Sequence, residues 1–130
     1  MASLTELCTL TVELSFAPIG PTRTGTRMDI PFEGTATSPH WEGTRNVKGV
    51  DYATIGADGS MELIIRGQIK AGREVIGYTA IGRNGGDGPM ELFTFDTAIE
   101  EFAHLNNAIA VGVGTVDGST LTLEVSTVDR

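Results

Sequence analysis

Apolar and polar residues alternate with a period of two along most of this chain. The segment Glu6–Phe16 shows this most clearly, with one face apolar and the other carrying Thr, Glu and Ser side chains. Such alternation is typical of a β-strand with one buried face. Comparable runs, together with an extended stretch at Trp41–Val47, predict eight or nine strands, at Arg27–Glu33, Tyr52–Ile55, Met61–Lys70, Glu74–Gly82, Met90–Phe95, Ala108–Val116 and Thr120–Val128.

Turn-forming residues separate these runs. Asp58-Gly59, Ala71-Gly72-Arg73 and Asp117-Gly118 each lie between two predicted strands, which favours antiparallel hairpins in sequence order. The segment Ala17–Thr26 contains two prolines and two glycines and is predicted to be a loop. Pro31 interrupts its run, which indicates an edge strand or a bulge.

Thr97–His104 is the one segment with a helical pattern. Thr97 is placed to cap the first turn, with Glu100 at the capping-box position. Ile99, Phe102 and Ala103 would form a small apolar face. We therefore predict one short helix.

Many strands with short turns and one helix indicate an all-β protein. Residues 1–130 form one domain of a size that buries a single core. We predict an antiparallel β-barrel of eight or nine strands rather than a sandwich, because closure removes exposed strand edges. The interior of an eight-stranded barrel holds either packed side chains or one small ligand.

Composition excludes several classes of function. Hydrophobic content is 40% and mean hydropathy +0.02, as in ordinary soluble domains. The net charge is -8 and the nine basic residues are dispersed, which argues against nucleic-acid and anionic-membrane partners. No leader pattern and no apolar run of about 20 residues is present, so a cytoplasmic location is expected. The single cysteine, Cys8, permits no internal disulfide and no multi-cysteine zinc site.

Asp51 is the first candidate for a catalytic group. It lies among glycines, and burial would raise its pKa toward the range of a general base; the alternative is a turn aspartate that bonds backbone amides. Its neighbour Tyr52 is a candidate substrate-binding residue.

Arg66 and Glu62 share the polar face of the longest run. If that face points inward, Arg66 would stabilise negative charge on a substrate; if outward, the pair is exposed and of little energetic value.

Four further residues carry chemistry that suits a pocket. Tyr78 shares a strand face with apolar residues and is a candidate proton donor, or simply half-buried packing. Arg27 precedes a strand and is either an anion anchor or a partner in a salt bridge with Asp29 or Glu33. His40 and Trp41 follow a proline and are candidates for a pocket mouth. No metal site and no cofactor motif is recognised.

The chain also resembles the small β-barrel family known as domain of unknown function 3237. The matching stretches are Gly25-Thr26-Arg27, the Gly43–Asp51 run with Tyr52, Asp58-Gly59, Arg66, Gly72, Phe95-Asp96-Thr97, Leu105-Asn106-Asn107 and Val111–Gly114. The resemblance implies a calycin-like or allene-oxide-cyclase-like antiparallel barrel, often oligomeric, and no established chemistry. Departures from the family pattern occur at Glu33, Val50 and His104.

Three functions are compatible with these residues. The leading hypothesis is a cofactor-free enzyme, an acid–base isomerase, cyclase or dehydratase-type lyase acting on a small apolar or aromatic metabolite. Asp51 would be its base, Arg66 and Arg27 its anion stabilisers, and Tyr78 or Tyr52 its proton donor. The alternatives are a non-catalytic carrier or sensor of a small ligand, and a structural or assembly barrel with a filled core. A homo-oligomer, dimeric or larger, is expected from the strand around Pro31 and the small-residue strand Ala108–Gly114.

Overall fold

The computed structural model describes all 130 residues, Met1–Arg130, and confirms the all-β fold. It contains nine antiparallel strands and one 3₁₀ helix, Glu100–Asn107. Eight strands close into a barrel and one strand is additional. The strands are β1 (Ser3–Leu14), β2 (Ala17–Thr22), β3 (Gly25–Thr37), β4 (Arg45–Ile55), β5 (Met61–Ala71), β6 (Glu74–Asn84), β7 (Pro89–Thr97), β8 (Ala110–Asp117) and β9 (Thr120–Asp129).

The barrel is a meander that closes on itself. From β3 to β9, each strand pairs with the next in sequence, and β9 pairs with β1. The ring closes where β1 pairs with β3, with Leu10 opposite Ala36. Because consecutive strands are neighbours, short turns suffice for these connections except for the irregular segment 38–44 between β3 and β4 and the connection that carries the helix.

The segment predicted to be a loop contains a strand instead. β2 carries Pro18 and Pro21, yet it pairs with β3 along Ala17–Thr22. Since β2 has a partner on one side only, it is an edge strand, where proline is tolerated. Pro31 lies in β3 opposite Val50, at the point where β3 changes partner from β2 to β1. Its missing N–H therefore interrupts neither of these pairings.

The helix begins three residues later than predicted and is of the 3₁₀ type. Its N-cap residue is Ile99, without a side-chain capping bond. Thr97 is the last residue of β7, and its hydroxyl donates to the Val75 carbonyl at 2.8 Å and accepts from the Ile99 N–H at 3.1 Å. Phe102 and Leu105 form the buried face, whereas Ala103 is exposed. No helix is long and apolar enough to cross a bilayer.

A pair of facing glycines makes room for aromatic rings inside the barrel. Gly49 of β4 lies opposite Gly67 of β5. A Cβ atom on Gly49 would lie 2.6 Å from Cζ of Phe32, and one on Gly67 would lie 2.5 Å from the hydroxyl oxygen of Tyr78. The Tyr78 ring in turn packs against Phe93, with ring centroids 5.1 Å apart. The absence of two side chains therefore allows large rings to fill the centre.

The two ends of the barrel differ. At one end the 3₁₀ helix packs Phe102 against Trp41, with ring centroids 5.9 Å apart. The Arg45 guanidinium stacks over the Trp41 ring at 4.8 Å, a cation–π contact that holds the irregular segment before β4. At the opposite end the β4–β5, β6–β7 and β8–β9 turns surround an opening. The barrel is thus closed at one end and open at the other.

Cys8 is expected to be inert while the protein is folded. It is 2% exposed in the core, and burial raises the pKa of its thiol to about 12. Thiolate, not thiol, attacks disulfide reagents. We expect Ellman's reagent to leave Cys8 unmodified in buffer and to modify it fully in urea. Rapid reaction in buffer would contradict the burial of this strand.

Candidate functional site

The open end of the barrel contains a pocket of about 160 Å³. All eight barrel strands contribute to its wall, together with Phe16 from the β1–β2 corner. Eight of the eleven lining residues are apolar, and the three polar ones are Asp51, Asn84 and Glu91. A mostly apolar wall with a few convergent polar groups is typical of a small-molecule site.

Asp51 points into this pocket from β4. Alternation places it on the inner face with Val47 and Ala53, which are both buried. Burial raises the pKa of its carboxyl group to about 7, with a smaller opposing effect from the Ile64 backbone. Its Oδ1 atom is buried and has no hydrogen-bond partner. A buried carboxyl oxygen without a hydrogen bond raises the free energy of the folded protein. A ligand that donates a hydrogen bond to this atom would therefore be favoured.

Glu91 is a second buried carboxyl group that the sequence analysis did not identify. It is 8% exposed on β7 and lies between Gly82 of β6 and Gly112 of β8. Burial, with a further contribution from the charge of Asp51, raises its pKa to about 8. The sequence does contain an indication, because Glu91 is in phase with Phe93 and Phe95, both on the apolar face of the strand.

Tyr78 lies deeper in the interior, as its strand face predicted. A cleft of about 20 Å³ is lined by its side chain together with Asp51 and Glu91. That volume holds about one water molecule. Burial, followed by the charge of Glu91, raises the pKa of the phenol. The group therefore stays protonated and acts as a hydrogen-bond donor.

These three side chains form an acidic site without a basic residue. No Lys, Arg or His lines the pocket or the cleft, and no group of three His, Cys, Asp or Glu residues is placed to hold a metal ion. Two carboxyl groups in one cavity titrate as a pair. Because burial raises both pKa values into the neutral range, the pair holds one proton and one negative charge near neutral pH, so an acid and a base are present together.

Four of the proposed site residues lie on the outer surface instead. Arg66 and Glu62 alternate with the buried Leu63 and Ile65 of β5, so both point outward. Tyr52 is 44% exposed on the outer face of β4, and Arg27 is exposed on β3. Strand alternation places all four outside the pocket, so the predicted roles of Arg66 and Arg27 beside Asp51 are wrong.

The ion pairs predicted for Glu62 and Arg27 also differ from those in the structure. Glu62 approaches Arg83 at 4.0 Å, with both side chains exposed, and Arg27 has no ion-pair partner. Arg66 instead borders an open outer groove of about 320 Å³.

His40 and Trp41 lie at the closed end of the barrel. The backbone N–H of His40 donates to the Ser38 hydroxyl at 2.9 Å, and its ring nitrogen Nε2 lies 3.0 Å from the Glu6 carbonyl oxygen. Trp41 packs on Phe102 as described above. Neither residue lines the pocket that contains Asp51, so the predicted mouth is at the other end of the molecule.

The fold is shared with several solved structures. A protein of unknown function from Clostridium acetobutylicum superposes with a TM-score of 0.87 at 19% identity, covering 99% of this chain and 98% of its own. A beta-barrel like protein from Acinetobacter baumannii gives 0.86 at 17% identity, with 99% and 97% covered. An enzyme from Penicillium herquei gives 0.70 at 17% identity, with 98% and 95% covered. No family model and no curated protein matches the chain.

Proposed function

We propose that this barrel is a cofactor-independent acid–base enzyme whose reaction takes place at Asp51 and Glu91. The observation that carries the proposal is the pair of carboxyl groups, Glu91 buried and Asp51 half-buried, in an open, mostly apolar pocket. Perturbed carboxyl groups in a cleft are characteristic of catalytic sites. The similarity in fold to an enzyme from Penicillium herquei is compatible with this role.

The roles of the groups follow from their protonation. The ionised carboxylate of the pair removes a proton from the substrate, and the protonated member returns one to another atom. The Tyr78 hydroxyl, which stays protonated, donates a hydrogen bond to oxygen as charge develops there. Such a site supports isomerisation, cyclisation or elimination of water without a cofactor, because each of these reactions needs only proton transfers.

The pocket also defines the class of substrate. An apolar cavity of about 150 Å³ holds benzene, so about 160 Å³ accommodates a single ring or a fragment of that size. The lining contains no cation to pair with a carboxylate or phosphate, and a buried acidic pair repels anions. We therefore propose an uncharged substrate with a carbonyl or hydroxyl group.

Proton transfer is testable before the natural substrate is known. We expect the protein to catalyse exchange of the acidic C–H protons of 2-cyclohexen-1-one with D₂O, followed by NMR between pD 6 and 9. Exchange should be fastest between about 7 and 8, where the pair holds one proton. Asp51→Asn and Glu91→Gln should each slow it by about 10²–10⁴-fold, whereas Glu62→Gln on the outer face should not.

The same experiment separates the enzyme from a carrier. A carrier would shift the NMR signals of the ketone on binding, without faster exchange, and Asp51→Asn would leave that binding largely intact. The absence of both binding and exchange across a panel of ring-sized ketones and alcohols would contradict the proposed function. A barrel with a structural role would give that result.

A further inference from the structure

A continuous row of apolar side chains crosses the outer surface of the barrel. Tyr52, Ile64, Ile81, Leu92 and Val111 lie on five consecutive strands, β4 to β8. Each is the direct cross-strand partner of the next. We call these five residues the outer apolar row. Ile64 is 59% exposed and Ile81 is 54% exposed, so no other part of the chain covers them.

The row departs from the alternation of apolar inner and polar outer positions that is expected of a half-buried sheet. The inner faces of the same strands already supply the apolar core, including Leu63, Ile65 and Ala80. Outward positions should then be polar, as Thr79 and Thr94 are. Scattered apolar side chains on a surface are ordinary, but a contiguous strip of them marks an interaction site.

The charges that flank the row indicate what covers it. On β5, Arg66 and Glu62 stand two residues to either side of Ile64 and point outward. Arg83 of β6 flanks the row on the same side as Glu62, at 4.0 Å from it. A second copy related by a two-fold axis along the row would place Ile64 against Ile64. Arg66 of each copy would then face Glu62 of the other. A two-fold axis parallel to the strand would instead bring Arg66 against Arg66, which costs energy.

We propose that the outer apolar row is the interface of a homodimer whose two-fold axis runs along the row. The convex surface of a barrel limits the contact to the central strands of the row, β5 to β7, so Ile64, Ile81 and Leu92 form its apolar centre. Two symmetric pairs between Arg66 and Glu62 fix the register. This arrangement gives a function to outward-facing residues that the pocket does not use.

Reversed charges provide a specific test. We expect sedimentation velocity of the full chain at about 100 μM in 0.15 M salt, where charges beyond about 8 Å are screened, to show a dimer. Arg66→Glu and Glu62→Arg should each weaken dimerisation by at least about tenfold, because like charges then meet twice. An equimolar mixture of the two variants should form a heterodimer, because both pairs become complementary again.

Controls separate the interface from folding. Both positions are exposed, and the Glu62–Arg83 pair lost in Glu62→Arg is exposed and worth little. The monomeric variants should therefore stay folded, with thermal midpoints lowered only by the stabilisation that dimerisation gives the wild type. Ile64→Lys should also give a folded monomer, whereas Glu124→Arg on the distant strand β9 should remain dimeric. A monomeric wild type, single variants that remain dimeric, or a mixture that does not associate would each overturn the proposal.

Discussion

Replacing Asp51 by Asn and Glu91 by Gln together is expected to stabilise the protein most at alkaline pH. The carboxyl groups ionise readily in the unfolded chain, with pKa values near 4. In the folded state, burial raises these pKa values to about 7 and about 8. Between about pH 4 and pH 8 the folded state therefore holds protons that the unfolded state has released. The stability of the wild type must fall as the pH rises through this interval.

The amide variant removes both ionisations, so its stability should be nearly independent of pH in the same range. The advantage of the variant over the wild type should grow by about 3 kcal/mol between pH 5 and pH 9, after a discount for solvent at the open pocket. Urea unfolding at the two pH values measures it directly. Glu62→Gln is the matched control, because the carboxylate of Glu62 is exposed. The free energy of unfolding of this variant should change with pH in parallel with that of the wild type.

A wild type with equal stability at pH 5 and pH 9 would contradict the burial of the carboxyl pair. The expected result bears on function as well as folding. Side chains that destabilise the folded state at working pH are retained where chemistry requires them. Stabilisation by the amide variant together with loss of proton exchange would locate that trade-off at Asp51 and Glu91.

Gly49→Ala is expected to destabilise the barrel strongly, although it adds only one methyl group. The added Cβ would overlap the carbonyl oxygen of Arg66, and it would lie 2.7 Å from the Cα atom of Gly67. These are backbone atoms of the neighbouring strand, which cannot rotate away. The Phe32 ring blocks the inward direction. We expect a loss of about 3 kcal/mol or more, measured by urea unfolding.

Gly85→Ala is the matched control for this substitution. Gly85 lies in the β6–β7 turn, and a Cβ atom there would meet no heavy atom within 4 Å. Its stability should therefore stay within about 0.5 kcal/mol of the wild type. A loss of unfolding free energy in Gly49→Ala as small as that in Gly85→Ala would contradict the close approach of β4 to β5 beneath Phe32.

Strand alternation was sufficient to predict the barrel and two members of the site. Asp51 and Tyr78 were both identified, and both line the interior. Arg66 was not assigned to a face, because β5 carries apolar residues on both sides: Leu63 and Ile65 inside, and Ile64 outside. When both faces are apolar, periodicity alone does not show which one is buried.

The remaining differences have equally local causes. The pattern of Met90–Phe95 predicts an ordinary strand and does not single out Glu91, although its phase matches that of Phe93 and Phe95. β2 was predicted to be a loop because of Pro18 and Pro21, which only an edge position accommodates. The meeting of Asp51 and Glu91 joins β4 to β7, strands that are not neighbours. No local pattern contains that information.

The difference between the two barrel ends limits which molecules can reach the carboxyl pair. Phe102 packs against Trp41 at the far end, and core side chains such as Tyr78 and Phe93 fill the interior, so nothing can thread through the barrel. Phe16 and Val116 form part of an apolar rim at the open end, where they are 52% and 44% exposed. A long metabolite would therefore insert one terminal ring and leave its remainder along this rim. Under the proposed function, reaction at the carboxyl pair would then be confined to chain ends, and each product would leave by the opening through which its substrate entered.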